Sequence, residues 1–186
     1  YTRKDFGLPE DKVIAVVVGG RLAEEVTESF VTMLESIFAY HIYVVFAGDF
    51  SGKYEEYAKE NVGFAKNTKY VGFVEDMLAF FECCDLFLNP ERAGGGGAAL
   101  ESLFKGIPVI TTRFGDSAVN VGEDFCVQDY EEMSKMAIRY IEDQEFYRRQ
   151  AVKGKERAAL LLDSGRAFRA IIGEAEKRAA FHERTE

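Results

Sequence analysis

The sequence predicts an open, doubly wound α/β fold: a mainly parallel sheet with helices on both faces, followed by a helical C-terminal tail. Three observations predict it. Short apolar runs rich in β-branched residues, Val13 to Val18 and Ile42 to Ala47, read as strands buried on both faces, the pattern of a parallel sheet. Such runs alternate with segments whose apolar residues recur at helical spacing. No Asn-Gly or Asp-Gly dipeptide lies between two strands, so crossovers rather than hairpins are expected to join them.

Element by element, Val13 to Val18 (VIAVVV) is the first strand, closed by Gly19 and Gly20. From Thr27 onward, Phe30, Met33, Leu34, Ile37 and Phe38 keep helical spacing. Ile42 to Ala47 (IYVVFA) is the second strand, ended by Gly48-Asp49. Lys53 to Glu60 reads as a short polar helix and Lys69 to Val71 as a third strand. A helix over Met77 to Cys83 leads to a fourth strand, Leu86 to Leu88. Ala98 to Phe104 is apolar and helical, Val109 to Thr112 is a fifth strand, and Phe125 to Val127 a sixth. The rest is helical. Asp129 and Glu132 stand at capping-box spacing ahead of one apolar stripe, Met133, Met136, Ala137, Tyr140 and Ile141. Asp143 is expected to cap a helix through Phe146 toward Leu162. Ser164 is expected to cap a last helix, Ser164 to Arg184, with Phe168, Ile171, Ile172, Ala175 and Ala179 on one face. No Pro/Ser-rich linker, low-complexity tract or repeat interrupts the chain. Residues 1–186 are therefore read as a single Rossmann-like domain, with 129–186 its helical tail.

Composition narrows the function classes. Of 186 residues, 47% are hydrophobic and 30% charged, enough to bury a core, which excludes a disordered tail, a collagenous repeat or a disulfide miniprotein. The Val13 to Val18 run is too short to span a bilayer. A net charge of −9 repels phosphate backbones, so nucleic acid is not an expected partner. A phosphate ligand would have to be held locally, by backbone amides and a few placed cations. The odd set Cys83, Cys84 and Cys126 makes a poor disulfide framework, and no signal peptide is expected ahead of Tyr1. Both point to a reducing, cytoplasmic compartment. The chain opens without Met, as a piece of a longer protein would.

Ligands of open α/β sheets bind beyond the carboxyl ends of the strands, and three segments there carry chemistry. Gly19-Gly20-Arg21-Leu22 follows the first strand; its glycines admit a close ligand and its arginine is a fork suited to phosphate, although a tight turn with a solvated Arg has the same sequence. This is not the G-x-G-x-x-G of dinucleotide enzymes, so an NAD site is disfavoured. Asn89-Pro90-Glu91-Arg92-Ala93-Gly94-Gly95-Gly96-Gly97 follows the fourth strand and feeds a helix N-terminus. That presents unpaired N–H groups and the positive end of a dipole, an anion site that needs no basic surface. Four glycines are expensive to order as a mere connector. Glu101, one turn into that helix, can accept hydrogen bonds from adjacent hydroxyls, as acidic residues do for ribose; an ordinary exposed glutamate is the alternative. His41 and His182 are too few and scattered for a metal site, and the cysteines read as buried small hydrophobes.

In order, these pieces resemble the C-terminal, nucleotide-sugar-binding domain of GT-B-fold glycosyltransferases of the large retaining group 1 family. The resemblance rests on G-R-L at Gly20 to Leu22, Phe46-Ala47-Gly48, Tyr70-Val71-Gly72-Phe73-Val74 and Cys84-Asp85-Leu86-Phe87-Leu88-Asn89-Pro90. Above all it rests on A-L-E-S-L-F-K-G-I-P-V-I at Ala99 to Ile110. It runs from about Val13 to Thr112. The resemblance implies that Gly20 and Arg21 meet the donor diphosphate and that Gly94, Gly95, Gly96 and Gly97 cradle the phosphates. It implies that Glu101 holds the ribose and that Phe73 and Val74 line a nucleobase pocket. Arg92 and Ala93 would lie near the donor sugar. Val26 stands where the family often has a second diphosphate cation, and Ala93 where it usually has a Glu on the donor sugar.

The implied activity is transfer of a sugar from a nucleotide-diphosphate sugar to an acceptor, in polysaccharide or glycoconjugate synthesis, with no metal or other cofactor. Catalytic side chains are not named by these motifs. The family places the acceptor site in an N-terminal domain, absent here, so donor binding with little or no transfer is expected, and any peripheral membrane contact belongs to the missing half. The apolar face of the last helix would be partly orphaned, a route to a homodimer. Three other readings stay open: a nucleotide-sugar epimerase of the same fold, a non-catalytic nucleotide or sugar-phosphate binding module, and a helix-mediated interaction domain with a vestigial site.

Overall fold

In a computed structural model of the chain, six strands form one sheet in the order β3-β2-β1-β4-β5-β6, and every neighbouring pair is parallel. The strands are β1 (Val13–Gly19), β2 (Ile42–Gly48), β3 (Thr68–Gly72), β4 (Leu86–Leu88), β5 (Val109–Thr112) and β6 (Cys126–Val127). The structure describes residues 1–50 and 52–182, the side chains of 164, 166, 167 and 177–182 excepted. The helices are α1 (Leu22–Glu25), α2 (Glu28–Ile37), α3 (Lys53–Glu60), α4 (Val62–Asn67) and α5 (Met77–Phe81). They continue with α6 (Gly96–Lys105), α7 (Gly115–Val121), α8 (Tyr130–Glu142), α9 (Gln144–Leu162) and α10 (Ser164–His182). Turns of 3-10 helix cover Arg3–Phe6, Phe38–Tyr40 and Glu123–Phe125.

The strand alternation sorts the core into two layers. Ala15 and Val17 of β1, Val44 and Phe46 of β2, and Leu86 and Leu88 of β4 face one layer, where Phe30 and Leu34 of α2 and Met133 and Ala137 of α8 pack. Ile14, Val16, Val45 and Phe87 face the other, against Phe80 and Phe81 of α5, Ala99 and Leu103 of α6, and Ala158 of α9. This is the doubly wound arrangement expected from the apolar runs: period two in a strand with both faces covered turns every residue inward. Each fully buried Phe among these contributes roughly 1.5–3 kcal/mol.

Helix starts follow the polar residues that precede them. Thr27, Asn61, Asp76, Asp129 and Asp143 accept from the N–H groups of Phe30, Phe64, Ala79, Glu132 and Phe146 respectively. The expected capping box at α8 forms with one shift: the Glu132 carboxylate accepts from Gln128 N–H at 2.8 Å rather than from Asp129. In the stripe of α8, Met133, Ala137 and Tyr140 are buried, while Met136 and Ile141 are half-buried against the same layer.

Several boundaries differ from the sequence expectation. Phe38 leaves the helix for the Phe38–Tyr40 turn, which His41 closes with φ +60°. The fifth helix stops at Phe81, not Cys83, and Phe125 belongs to a turn ahead of β6. The helix after the glycines begins at Gly96, two residues before the expected Ala98, so the glycine run is part loop and part helix. Helices α4 and α7 are not foreshadowed in the pattern. Each is too short to show a period, with Phe64 alone buried in α4 and Gly115 opening α7. On α10, Phe168, Ile171 and Ile172 are exposed; the side chains of Ser164 and Ala179 are not described, and Arg184 lies outside the described residues. Among the described residues, no helix is long and apolar enough to cross a membrane.

Candidate functional site

Strand order reverses between β1 and β4, because β1 to β3 run outward on one side and β4 to β6 on the other. Beyond the carboxyl ends of a sheet, that switch point leaves a crevice. Here it holds a cleft of about 790 Å³, within the range of small-molecule sites. Four segments wall it. Val18, Gly19, Gly20, Arg21 and Glu25 come from the end of β1 and from α1, and Gly48 and Asp49 from the end of β2. Tyr70, Phe73, Val74 and Met77 come from β3 and the loop into α5, and Arg92, Gly94, Gly95, Gly97 and Ala98 from the glycine loop and α6.

The first two segments are fused by backbone. Gly48 has φ +119°, and a Cβ there would lie 2.0 Å from the Gly19 carbonyl oxygen. The contact lets Asp49 N–H donate to Gly19 O at 2.9 Å and Leu22 N–H donate to Asp49 O at 2.8 Å, which sets the start of α1. Arg21 is the N-cap of α1; its side chain is 64% exposed and stands 3.5 Å from the Glu25 carboxylate. It is thus a cation at the mouth of the cleft.

The second wall supplies amides. Gly95, at φ +90°, is the N-cap of α6 and has no side chain to cap it. Among the described residues no side chain caps the N–H groups of the first helical turn, and Gly97 and Ala98 of that turn line the cleft. The positive end of the α6 dipole therefore faces the same space as Arg21. Across from it, Phe73 is 86% exposed beside buried Val74, with Met77 and Tyr70 adjoining, an apolar lip to which a planar ring can be applied. Tyr70 is fixed there by its hydroxyl, which donates to Gly48 O at 2.9 Å.

Gly20, Arg21, Phe73, Val74, Arg92, Gly94, Gly95 and Gly97 are thus brought together. The other three candidates sit outside the wall. Gly96 is buried where α6 meets α7, because a Cβ there would lie 2.2 Å from Asn120 Nδ2. Ala93 turns away and uses its carbonyl to accept from Asp116 N–H at 2.8 Å, which tethers the loop to α7. Glu101 is half-buried on α6, one turn beyond Gly97 and Ala98, with no hydrogen bond or ion pair among the described residues.

Arg92 lines the cleft but is not a solvent-facing cation. Its side chain is 4% exposed and pairs with Glu25 at 2.7 Å. Val26, at the other departure from the family pattern, is buried in the first core layer and offers nothing to the cleft. Val18, Glu25, Asp49, Tyr70, Met77 and Ala98 complete the wall, and sequence reasoning did not single them out as site residues. Glu25 carried one signal, its i,i+4 spacing from Arg21. All three cysteines are buried and unpaired, as expected, and burial raises their thiols, Cys84 most. Among the described residues no three His, Cys, Asp or Glu side chains converge as metal ligands would.

No curated protein matches the chain in sequence. Solved structures match its fold. HepE of Anabaena, determined with UDP and glucose, superposes with a TM-score of 0.73 at 19% identity over 94% of this chain and 51% of its own. WaaG, a glycosyltransferase involved in lipopolysaccharide biosynthesis, gives 0.68 at 19% identity over 84% of this chain and 45% of its own. The C-terminal domain of LpcC, a group 1 family glycosyl transferase of Francisella tularensis, gives 0.67 at 18% identity over 84% of this chain and 89% of that domain. The chain therefore spans about half the length of HepE and WaaG, and nearly the whole of the isolated LpcC domain. The family model of the group 1 glycosyl transferases matches residues 13–143, from the first residue of β1 to the cap of α9 and across every wall of the cleft; the chain belongs to that family.

Proposed function

We propose that this chain is the donor-binding domain of a glycosyltransferase and that its cleft holds a nucleotide-diphosphate sugar. The carrying observation is the uncapped N-terminus of α6 facing Arg21 across the switch-point cleft. Arg21 and the amides of Gly97 and Ala98 would meet the diphosphate, Gly20 and Gly94 allowing close approach. Phe73 and Val74 would take the base, and Glu101, one turn along α6 from the wall, would reach the ribose hydroxyls. HepE, which has been seen with UDP and with UDP-glucose, supports trying a uridine ligand first.

The acceptor side and the groups that complete transfer belong, on this reading, to a second domain N-terminal to this one. Residues 1–186 then bind donor and transfer little. The same reading has the exposed apolar face of α10 cover that second domain, or a second copy in its absence, and assigns the enzyme to the cytoplasm. No metal is expected, and UDP affinity unchanged by EDTA is the check.

The test is calorimetric titration of the chain with UDP, GDP and ADP, beside an Arg21→Ala/Glu101→Ala double variant. One nucleotide bound by the parent and at least tenfold weaker in the variant is expected. Equal binding by parent and variant would remove the site from this cleft.

A further inference from the structure

Arg92 and Glu25 form a buried ion pair in the wall of a cleft that is otherwise open, and the pair joins α1 and the loop after β4 beyond the point where the β1–β4 ladder ends. The Arg92 guanidinium donates through Nε to Asn89 Oδ1 at 2.9 Å, and through its two terminal nitrogens to Glu25 at 2.7 Å, to Val18 O at 2.7 Å and again to Asn89. Val18 is the last residue but one of β1, Glu25 lies on α1, and Asn89 follows β4 and itself donates to Thr111 of β5 at 3.0 Å. One planar fork thus ties β1, α1 and β4 together where the sheet changes direction.

Both phosphate-facing elements lean on this fork. A Cβ at Gly95 would lie 3.0 Å from Arg92 Nε and 3.2 Å from its Cζ, so the left-handed turn that opens α6 rests on the guanidinium itself. Glu25 presents one oxygen to Arg92 and the other, at 3.5 Å, to Arg21. The carboxylate also neutralises Arg92, so of the two arginines it is Arg21 that leaves its charge facing the cleft.

We propose that Arg92 is a positioning residue: through Glu25 it aims Arg21, and through its own stacking it holds the Gly95 turn, so that cation and helix amides converge on one diphosphate. It does not meet the ligand with its own charge. This rests on the reading of the cleft as a nucleotide-diphosphate site. Lysine cannot serve here, because a single ammonium cannot span acceptors on three elements in the plane of a fork.

The test turns on a sign. Glu25→Gln deletes a negative charge beside the cleft. If Arg92 acted as a cation toward phosphate, that change would tighten UDP binding. As a positioning residue it instead loses its partner, and UDP binding to the full chain should weaken at least fivefold. Arg92→Lys should weaken it similarly, and the double variant should be no weaker than the worse single one, since both changes break one unit. Without ligand, the Gly95, Gly97 and Ala98 amide resonances should shift in both variants while those of β2 and β3 stay. Glu25→Gln binding as tightly as the parent, or more tightly, overturns the proposal, as does normal binding by Arg92→Lys. Failure of both conservative variants to fold, by circular dichroism, would make the pair a folding requirement and overturn it too. A parent chain that binds no nucleotide removes the site reading and the proposal with it; a binding parent with unaffected variants removes the proposal alone.

Discussion

Four consecutive glycines invite a single explanation, and the structure divides them into two pairs. A Cβ at Gly95 meets Arg92 and at Gly96 meets Asn120, the former at φ +90° besides, so these two are required by the fold. A Cβ at Gly94 or Gly97 meets nothing within 4 Å, and neither has a left-handed φ, so the fold does not need them. Gly97 sits in the first turn of α6 and lines the cleft. Alanine there should stabilise the chain by about 0.5–1 kcal/mol, the usual helix gain over glycine. For a chain of this size that raises Tm by roughly 1–4 °C. On the proposed reading the same methyl would stand between the diphosphate and the helix amides, so UDP should bind at least about tenfold more weakly, a loss of ~1.4 kcal/mol. Gly94→Ala should leave stability within about 0.5 kcal/mol of the parent and also weaken binding. Gly95→Ala and Gly96→Ala should each lose about 1–3 kcal/mol of stability, from strain and from overpacking respectively. Differential scanning calorimetry and nucleotide titration on the four variants provide the assay. A Gly97→Ala chain that is more stable and binds UDP like the parent would refute the assignment of that glycine to the ligand. One that is destabilised would refute the open-space geometry.

Three further outcomes follow from the packing. Gly48→Ala should cost about 3–5 kcal/mol in urea unfolding, combining backbone strain of about 1–3 with the two bonds through Asp49 at about 1 each; a loss under about 1 kcal/mol would mean that the β1 and β2 ends are not locked as described. Burial raises all three thiols, so Cys83, Cys84 and Cys126 stay protonated at pH 8 and should resist alkylation in the native chain, reacting together only on unfolding. Burial likewise raises the phenols of Tyr43, Tyr57, Tyr130 and Tyr147, the last to about 12. A folded value above the unfolded one stabilises fully below the unfolded pKa, so this stability should persist up to about pH 10 and fall as pH rises through 12. Melting temperatures across pH 8–12 that stay level would contradict it.

The strands were legible because residues buried on both faces must be apolar throughout, and Val13 to Val18 and Ile42 to Ala47 can hardly be read otherwise. Helix starts were legible where a polar residue caps, at Thr27, Asp129 and Asp143. Helices α4 and α7 escaped because six or seven residues hold too little of a 3.6-residue period, and their stability comes from neighbours remote in sequence. In the cleft wall, Arg21, Gly94, Gly95 and Gly97 were legible from position alone, since they follow strands and precede helices.

By itself the sequence determined the layered α/β architecture, the end of the sheet where the cleft lies, and several of the residues that line it. Local chemistry is sufficient for that: period, caps and turns are properties of neighbouring residues. Only the tertiary structure decided which of those residues face the cleft. Arg21 and Arg92 look alike in the chain, yet one is open to solvent while the other is buried against a glutamate 67 positions away. That pairing exists because the sheet sets β1 beside β4, and strand order is a global choice, made by the packing of the two layers and written in no local segment.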